Sequence, residues 1–175
     1  MLTVLVGIDP TNPNFQPTGR KHIDENVFDT VFFSPNVTCF ATASLAVVHQ
    51  KSHITSLREM HPDEELFTTL SSAAAAQTDT VAKWRFVAAA KLDAYSLPIL
   101  QELEDATPFK QEGLHTTLVV LEYAPLVGAL AHSIVKKSSG LDTIAAVLQL
   151  RLKPGDGFTA IFNDDGSLLS FEVLT

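Results

Sequence analysis

Apolar and polar positions change period several times along the chain, and each change predicts an element. Leu2, Val4 and Val6 alternate with Thr3 and Leu5 in a run with many β-branched residues, which predicts a strand over residues 1–8. Val27 to Ser34 reads as a second strand, and Pro35-Asn36 as a turn. Val37 to His49 is apolar and rich in β-branched residues, which predicts a third strand, with residues 51–61 as a connection. Pro62 followed by Asp63, Glu64 and Glu65 then marks a helix start, because proline suits the first turn and carboxylates suit the positive end of the dipole.

Helical spacing dominates the middle of the chain. Leu66, Phe67, Leu70 and Ala73 continue the helix to about Gln77, and Thr78-Asp79 is placed to cap the next one. Val81, Trp84, Ala88, Leu92 and Tyr95 form one stripe at three- and four-residue steps. Ser96-Leu97-Pro98 predicts a kink or a restart, and Thr107-Pro108 the end. His115 to Glu122 reads as a buried strand, because Leu118 to Leu121 are all apolar. Leu126, Val127, Leu130, Ala131, Ile134 and Val135 make one face of a following helix, with Lys136-Lys137 at its negative end and Gly140 as its stop. Asp142 to Ala146 adds a short helical turn. Val147–Lys153, Phe158–Asn163 and Ser167–Leu174 alternate with period two around Gly-Asp-Gly and Asp-Asp-Gly turns, which predicts a three-stranded meander. The segregated order predicts an α+β fold: a mainly antiparallel sheet with a C-terminal three-stranded meander and central helices packed on one face.

Residues 9–26 interrupt this pattern. Pro10, Pro13 and Pro17, with Asn12 and Asn14, argue against a regular helix through the segment, so it reads as an extended arm or a lid on a single domain spanning residues 1–175. The 175-residue length suits one domain with a sizeable core.

Charge changes the picture further. Only 18% of residues are charged, against about 25% in an ordinary soluble domain. Part of the surface is therefore apolar or small and neutral, which points to a homo-oligomer or a larger protein assembly. The net charge of −8 argues against a nucleic-acid partner. No apolar run is long enough to span a membrane, and no secretory leader is visible, so a cytoplasmic or virion location is expected.

Candidate chemistry is sparse. His49, His53 and His61 invite a metal reading, but no acidic residue lies between the first two, and solvated loop histidines explain them. Cys39 sits in an apolar run with no basic neighbour in sequence and reads as a buried, inert thiol. Gly-x-Ser-x-Gly and phosphate-cradling glycine loops are absent. Asp156, Asp164 and Asp165 belong to turns that a meander would hold apart, so they make no calcium site. Glu102, Glu104 and Asp105 read as a solvated helix end, Trp84-Arg85 as core packing beside a charge, and His115 and His132 as single histidines. No catalytic, cofactor-binding or metal residue is assigned, and no cofactor is expected. The function this favours is a non-enzymatic assembly subunit, such as a coat, shell, tail or scaffold component. The alternative is a small enzyme or ligand-binding domain with its pocket between sheet and helices, lidded by residues 9–26.

Overall fold

The computed structural model describes residues 1–12, 17–48, 53–73, 80–106, 115–138 and 140–175. In chain order they form β1 (Leu2–Val6), α1 (Pro17–Glu25), β2 (Thr30–Phe33), α2 (Val37–Val47) and β3 (His53–Ser56). A 3₁₀ turn (Arg58–Met60), α3 (Glu64–Ala73), α4 (Val81–Ala106), β4 (Thr117–Leu121) and α5 (Ala124–Ser138) follow, then α6 (Leu141–Leu148), β5 (Gly157–Phe162) and β6 (Leu168–Leu174).

The strands make one sheet in the order β3-β2-β4-β1-β5-β6. β3, β2, β4 and β1 run parallel, and β5 and β6 add antiparallel. The expected mainly antiparallel sheet is thus corrected to a mixed, mostly parallel one. Helices cover both faces. Val31, Leu5, Leu118 and Val120 meet Ile23 of α1 and Cys39, Ala43 and Ala46 of α2. Val4, Val6, Phe32, Val119 and Leu121 meet Leu66, Trp84, Leu92, Leu126, Leu130 and Val147 on the other face. β1 and β4 are buried at every position, as central parallel strands between two helical layers must be.

Three local readings are corrected with it. Val37–Val47 is a helix: Asn36 caps it, its Oδ1 accepting from the Cys39 amide at 2.8 Å. Cys39, Thr42, Ala43 and Ala46 form its buried stripe, and their small volume lets it lie close to β2 and β4. The β-branched residues around that stripe do not decide the conformation, because burial of a helical face overrides local propensity. Val147 and Leu148 end α6, and residues 149–153 form no strand, so the meander reduces to the β5–β6 hairpin, whose turn uses Gly166 at φ +82°. His53–Ser56, expected as connection, is the edge strand β3.

Within 9–26, residues Pro17–Glu25 are helical rather than extended. Pro17 opens the helix, where its missing N–H is not needed, and Ile23 is buried against the sheet. α4 continues through Pro98, and its break in helical geometry lies at Ala88 (φ −141°, ψ 31°). Among the described residues, no helix is long and apolar enough to cross a membrane.

Candidate functional site

The four parallel strands end on one side of the sheet. β1 connects towards β2 through α1, whereas β4 connects through α5 and α6 to β5 on the other side of β1. Adjacent parallel strands whose connections leave in opposite directions open a crevice at their carboxyl ends, which is where ligands bind in open α/β sheets.

Each strand delivers a polar group to this side. After β1, Ile8 is clamped to α2: Thr42 Oγ1 accepts from the Ile8 amide at 2.8 Å and donates to the Ile8 carbonyl at 2.6 Å. Asp9 follows, exposed, its Oδ1 accepting from the amide and the hydroxyl of Thr11, both at 2.8 Å. Those bonds hold its carboxyl below the usual carboxylate value. After β2 comes Ser34, 0% exposed, whose Oγ has no hydrogen-bond partner. After β4 come Glu122 and Tyr123.

Glu122 is the centre of the group. Its Oε2 lies 3.2 Å from His61 Nδ1, which follows the 3₁₀ turn beyond β3. Burial, with the hydrogen bond and charge of Glu122, pushes the Tyr123 phenol up to about 12. Burial, with the Glu122 charge behind it, pushes the Cys39 thiol up to about 12 as well. Tyr95 of α4 is buried, which raises its phenol well above the ordinary value, and its hydroxyl donates to the Met60 carbonyl at 2.6 Å. That bond ties α4 to the turn that carries His61.

His61 also stands on the rim of a cleft of about 530 Å³ between the 3₁₀ turn, α3 and α4. Glu59, Asp63, Glu65, Lys91 and Tyr95 line it. Lys91 is engaged by Glu65 at 2.9 Å, so carboxylates prevail on this surface. An imidazole in contact with a half-buried carboxylate can accept and return a proton, and a phenol beside that carboxylate can orient a substrate. Among the described residues that line the cleft, an anionic group would meet Glu59, Asp63 and Glu65, with Lys91 already paired.

Of the histidines weighed for metal, His61 is the one at this crevice. His53 is exposed at the start of β3, at the opposite end of that strand, and His49 lies outside the described residues. The described residues hold no group of three or more His, Cys, Asp or Glu arranged to bind a metal ion. Cys39 is buried, as expected of an inert thiol. The sequence reading missed Glu122 and Ser34. The signal available was a polar residue ending a wholly apolar strand just before a helix, a position that faces the crevice of a parallel sheet.

No protein-family model matches the chain, and no curated protein matches it by sequence. Solved structures do. Mycobacterial hydrolase 1 aligns with a TM-score of 0.58 at 11% identity, over 98% of this chain and 94% of that one. Phosphoglycerate mutase from Plasmodium falciparum aligns with a TM-score of 0.52 at 7% identity, over 96% and 87%. A His-to-Ala mutant of Entamoeba histolytica phosphoserine phosphatase, in complex with phosphoserine, aligns with a TM-score of 0.50 at 14% identity, over 98% and 97%. These neighbours are enzymes, which overturns the expectation of a coat, shell, tail or scaffold subunit and leaves a virion location without support. At such identities the likeness concerns architecture: the chain has an α/β, phosphatase-like fold built on a mixed six-stranded sheet.

Proposed function

We propose that the chain is a small enzyme that binds a neutral or cationic small molecule at the carboxyl ends of β1, β2 and β4 and moves a proton on it. The observation that carries this reading is the His61–Glu122 contact at 3.2 Å, set at the end of a buried parallel strand and opening onto the cleft beside α4. In this reading His61, set against the Glu122 carboxylate, exchanges the proton with the substrate. Tyr123 stays a neutral phenol and donates a hydrogen bond. Ser34 supplies a hydroxyl that the folded chain leaves unused.

A phosphate ester, such as the phosphoserine bound by one structural neighbour, fits this surface poorly, because carboxylates outnumber free cations along it. The test is a thermal-shift and calorimetric screen of uncharged and amine-bearing metabolites, with phosphoserine included. Ligands of the first two classes should raise the melting temperature of the native protein and lose that effect in Glu122→Gln and His61→Ala. Phosphoserine should neither bind nor be hydrolysed. Turnover of phosphoserine, or ligand binding indifferent to both substitutions, overturns the proposal.

A further inference from the structure

We propose that two copies of this chain associate edge to edge through β3, with the outer face of α2 from each copy closing over the junction. From Thr30 to Val48 the sequence contains no Asp, Glu, Lys, Arg or His, and no other uncharged run in the chain is as long. This stretch is β2 and α2, and it reaches the surface. α2 spends Cys39, Thr42, Ala43 and Ala46 on the core and leaves Val37 at 85%, Phe40 at 52% and Val48 at 64% exposure. A surface helix ordinarily turns charged residues outward; this one turns out valine and phenylalanine.

β3, beside β2, is the adjoining sheet edge. All four residues of β3 are exposed. Ile54 pairs with Val31, whose side chain packs on the α1/α2 face, so Ile54 stands on that face too, on the same side of the sheet as α2. The His53 amide donates to the Asp29 carbonyl and the Leu57 amide to the Phe33 carbonyl. By strand alternation, the Ile54 and Ser56 amides therefore point away from β2, to the open edge. An apolar flank beside backbone donors and acceptors that are unpaired among the described residues is a template for another strand.

Charge selects the occupant. Each molecule carries −8, so two copies repel over most of their surface and can meet closely only where neither bears charge. A basic partner would be drawn instead to the acidic remainder. The other sheet edge fits less well: β6 exposes Glu172 and follows the Asp164-Asp165 turn, so self-pairing there would bring like charges together. Antiparallel pairing of β3 with its copy about a two-fold axis normal to the sheet keeps both α2 helices on one face. It also sets the outward amide and carbonyl of Ile54 against those of the other Ile54.

The mass of the full chain in solution, by sedimentation equilibrium and light scattering across a dilution series, tests this. The expected result is a reversible dimer of the 19.0 kDa chain. Phe40→Glu places like charges at the junction and should give a monomer. Ile54→Pro removes an outward amide without touching the β2 ladder and should do the same. Leu169→Glu, on the opposite edge, should leave the dimer intact. Circular dichroism reports whether each variant is folded, and Val37→Asp, at the most exposed apolar position of α2, replaces any that is not. A native protein that stays monomeric at every concentration, or a dimer that survives these charged substitutions on α2, overturns the proposal.

Discussion

At the scale of single residues, the positions that matter most are those where a small change meets something immovable. Gly157 opens β5 where it crosses the end of β1. A Cβ there would lie 1.9 Å from the Val4 carbonyl oxygen and 2.9 Å from the Leu5 Cα. Both are backbone atoms of a central strand and cannot move aside cheaply. Gly157→Ala should therefore cost about 3 kcal/mol of stability, measured by urea unfolding. Ser34 is the opposite case. Its buried hydroxyl has no partner, so Ser34→Ala should leave the free protein as stable or raise it by about 1 kcal/mol. The same substitution should weaken whatever ligand the crevice takes. A stability gain together with an affinity loss would mark Ser34 as held for binding rather than for folding. Cys39 offers a third reading at this scale. With its thiol at about 12, the native protein should resist thiol reagents at pH 8 and react once unfolded, as timed labelling with and without denaturant would report.

At the scale of elements, α4 shows how side chains fix a backbone irregularity. Residues eight apart on a straight helix are separated by about 12 Å. Arg85 and Asp93 are eight apart, yet Arg85 Nη1 and Nη2 donate to the two carboxylate oxygens at 2.7 and 3.1 Å. The break at Ala88 brings them together, and the pair in turn holds the break. Arg85→Ala should lower stability by about 1 kcal/mol, and a double-mutant cycle with Asp93→Ala should show that the two losses do not add. Elements of this kind were largely readable in advance. The α4 stripe and the α5 face follow 3.6-residue periodicity over long runs, and Leu118–Leu121 announced a buried strand. α2 was misread because its valines and threonines suit a strand, although the spacing of Cys39, Thr42, Ala43 and Ala46 already carried the helical period. β3 was missed for a different reason. His-Ile-Thr-Ser is a short, exposed edge held by backbone pairing alone, and it has no apolar alternation to detect.

At the scale of the whole molecule, parallel pairing was not legible because it is decided by crossovers, and no local period encodes which strand lies beside β4. The site was hidden by the same fact: His61 and Glu122 are distant in sequence and meet only because β3 and β4 end on the same side of the sheet. Global packing also draws two histidines out of solvent away from that site, His132 fully and His22 in part, and it sets how stability responds to acid. His22 of α1 has Nε2 3.1 Å from Thr3 Oγ1, and burial lowers its basicity against the opposing pull of Glu172 and Glu25. His132 of α5 is 7% exposed with an unpartnered Nδ1; burial, with Arg85 of α4, lowers it further, and Lys136 adds to this while Asp93 opposes it. Both folded values lie below 6.5, so in that window the unfolded chain binds protons that the native one does not. Their contribution to stability is complete above 6.5 and is lost as pH falls towards the lowered folded values. Asp156 works the other way: burial raises its carboxyl above 3.8, so its stabilising share is complete below 3.8 and fades as pH rises through the folded value. The melting temperature should accordingly fall as the buffer goes from pH 7.5 to 5.5, before most carboxylates titrate. His132→Leu, which removes the buried imidazole of α5 and its orphaned nitrogen, should flatten that slope without lowering the plateau at neutral pH. An unchanged slope in His132→Leu would mean that the buried imidazole on α5 is not what couples this fold to protons.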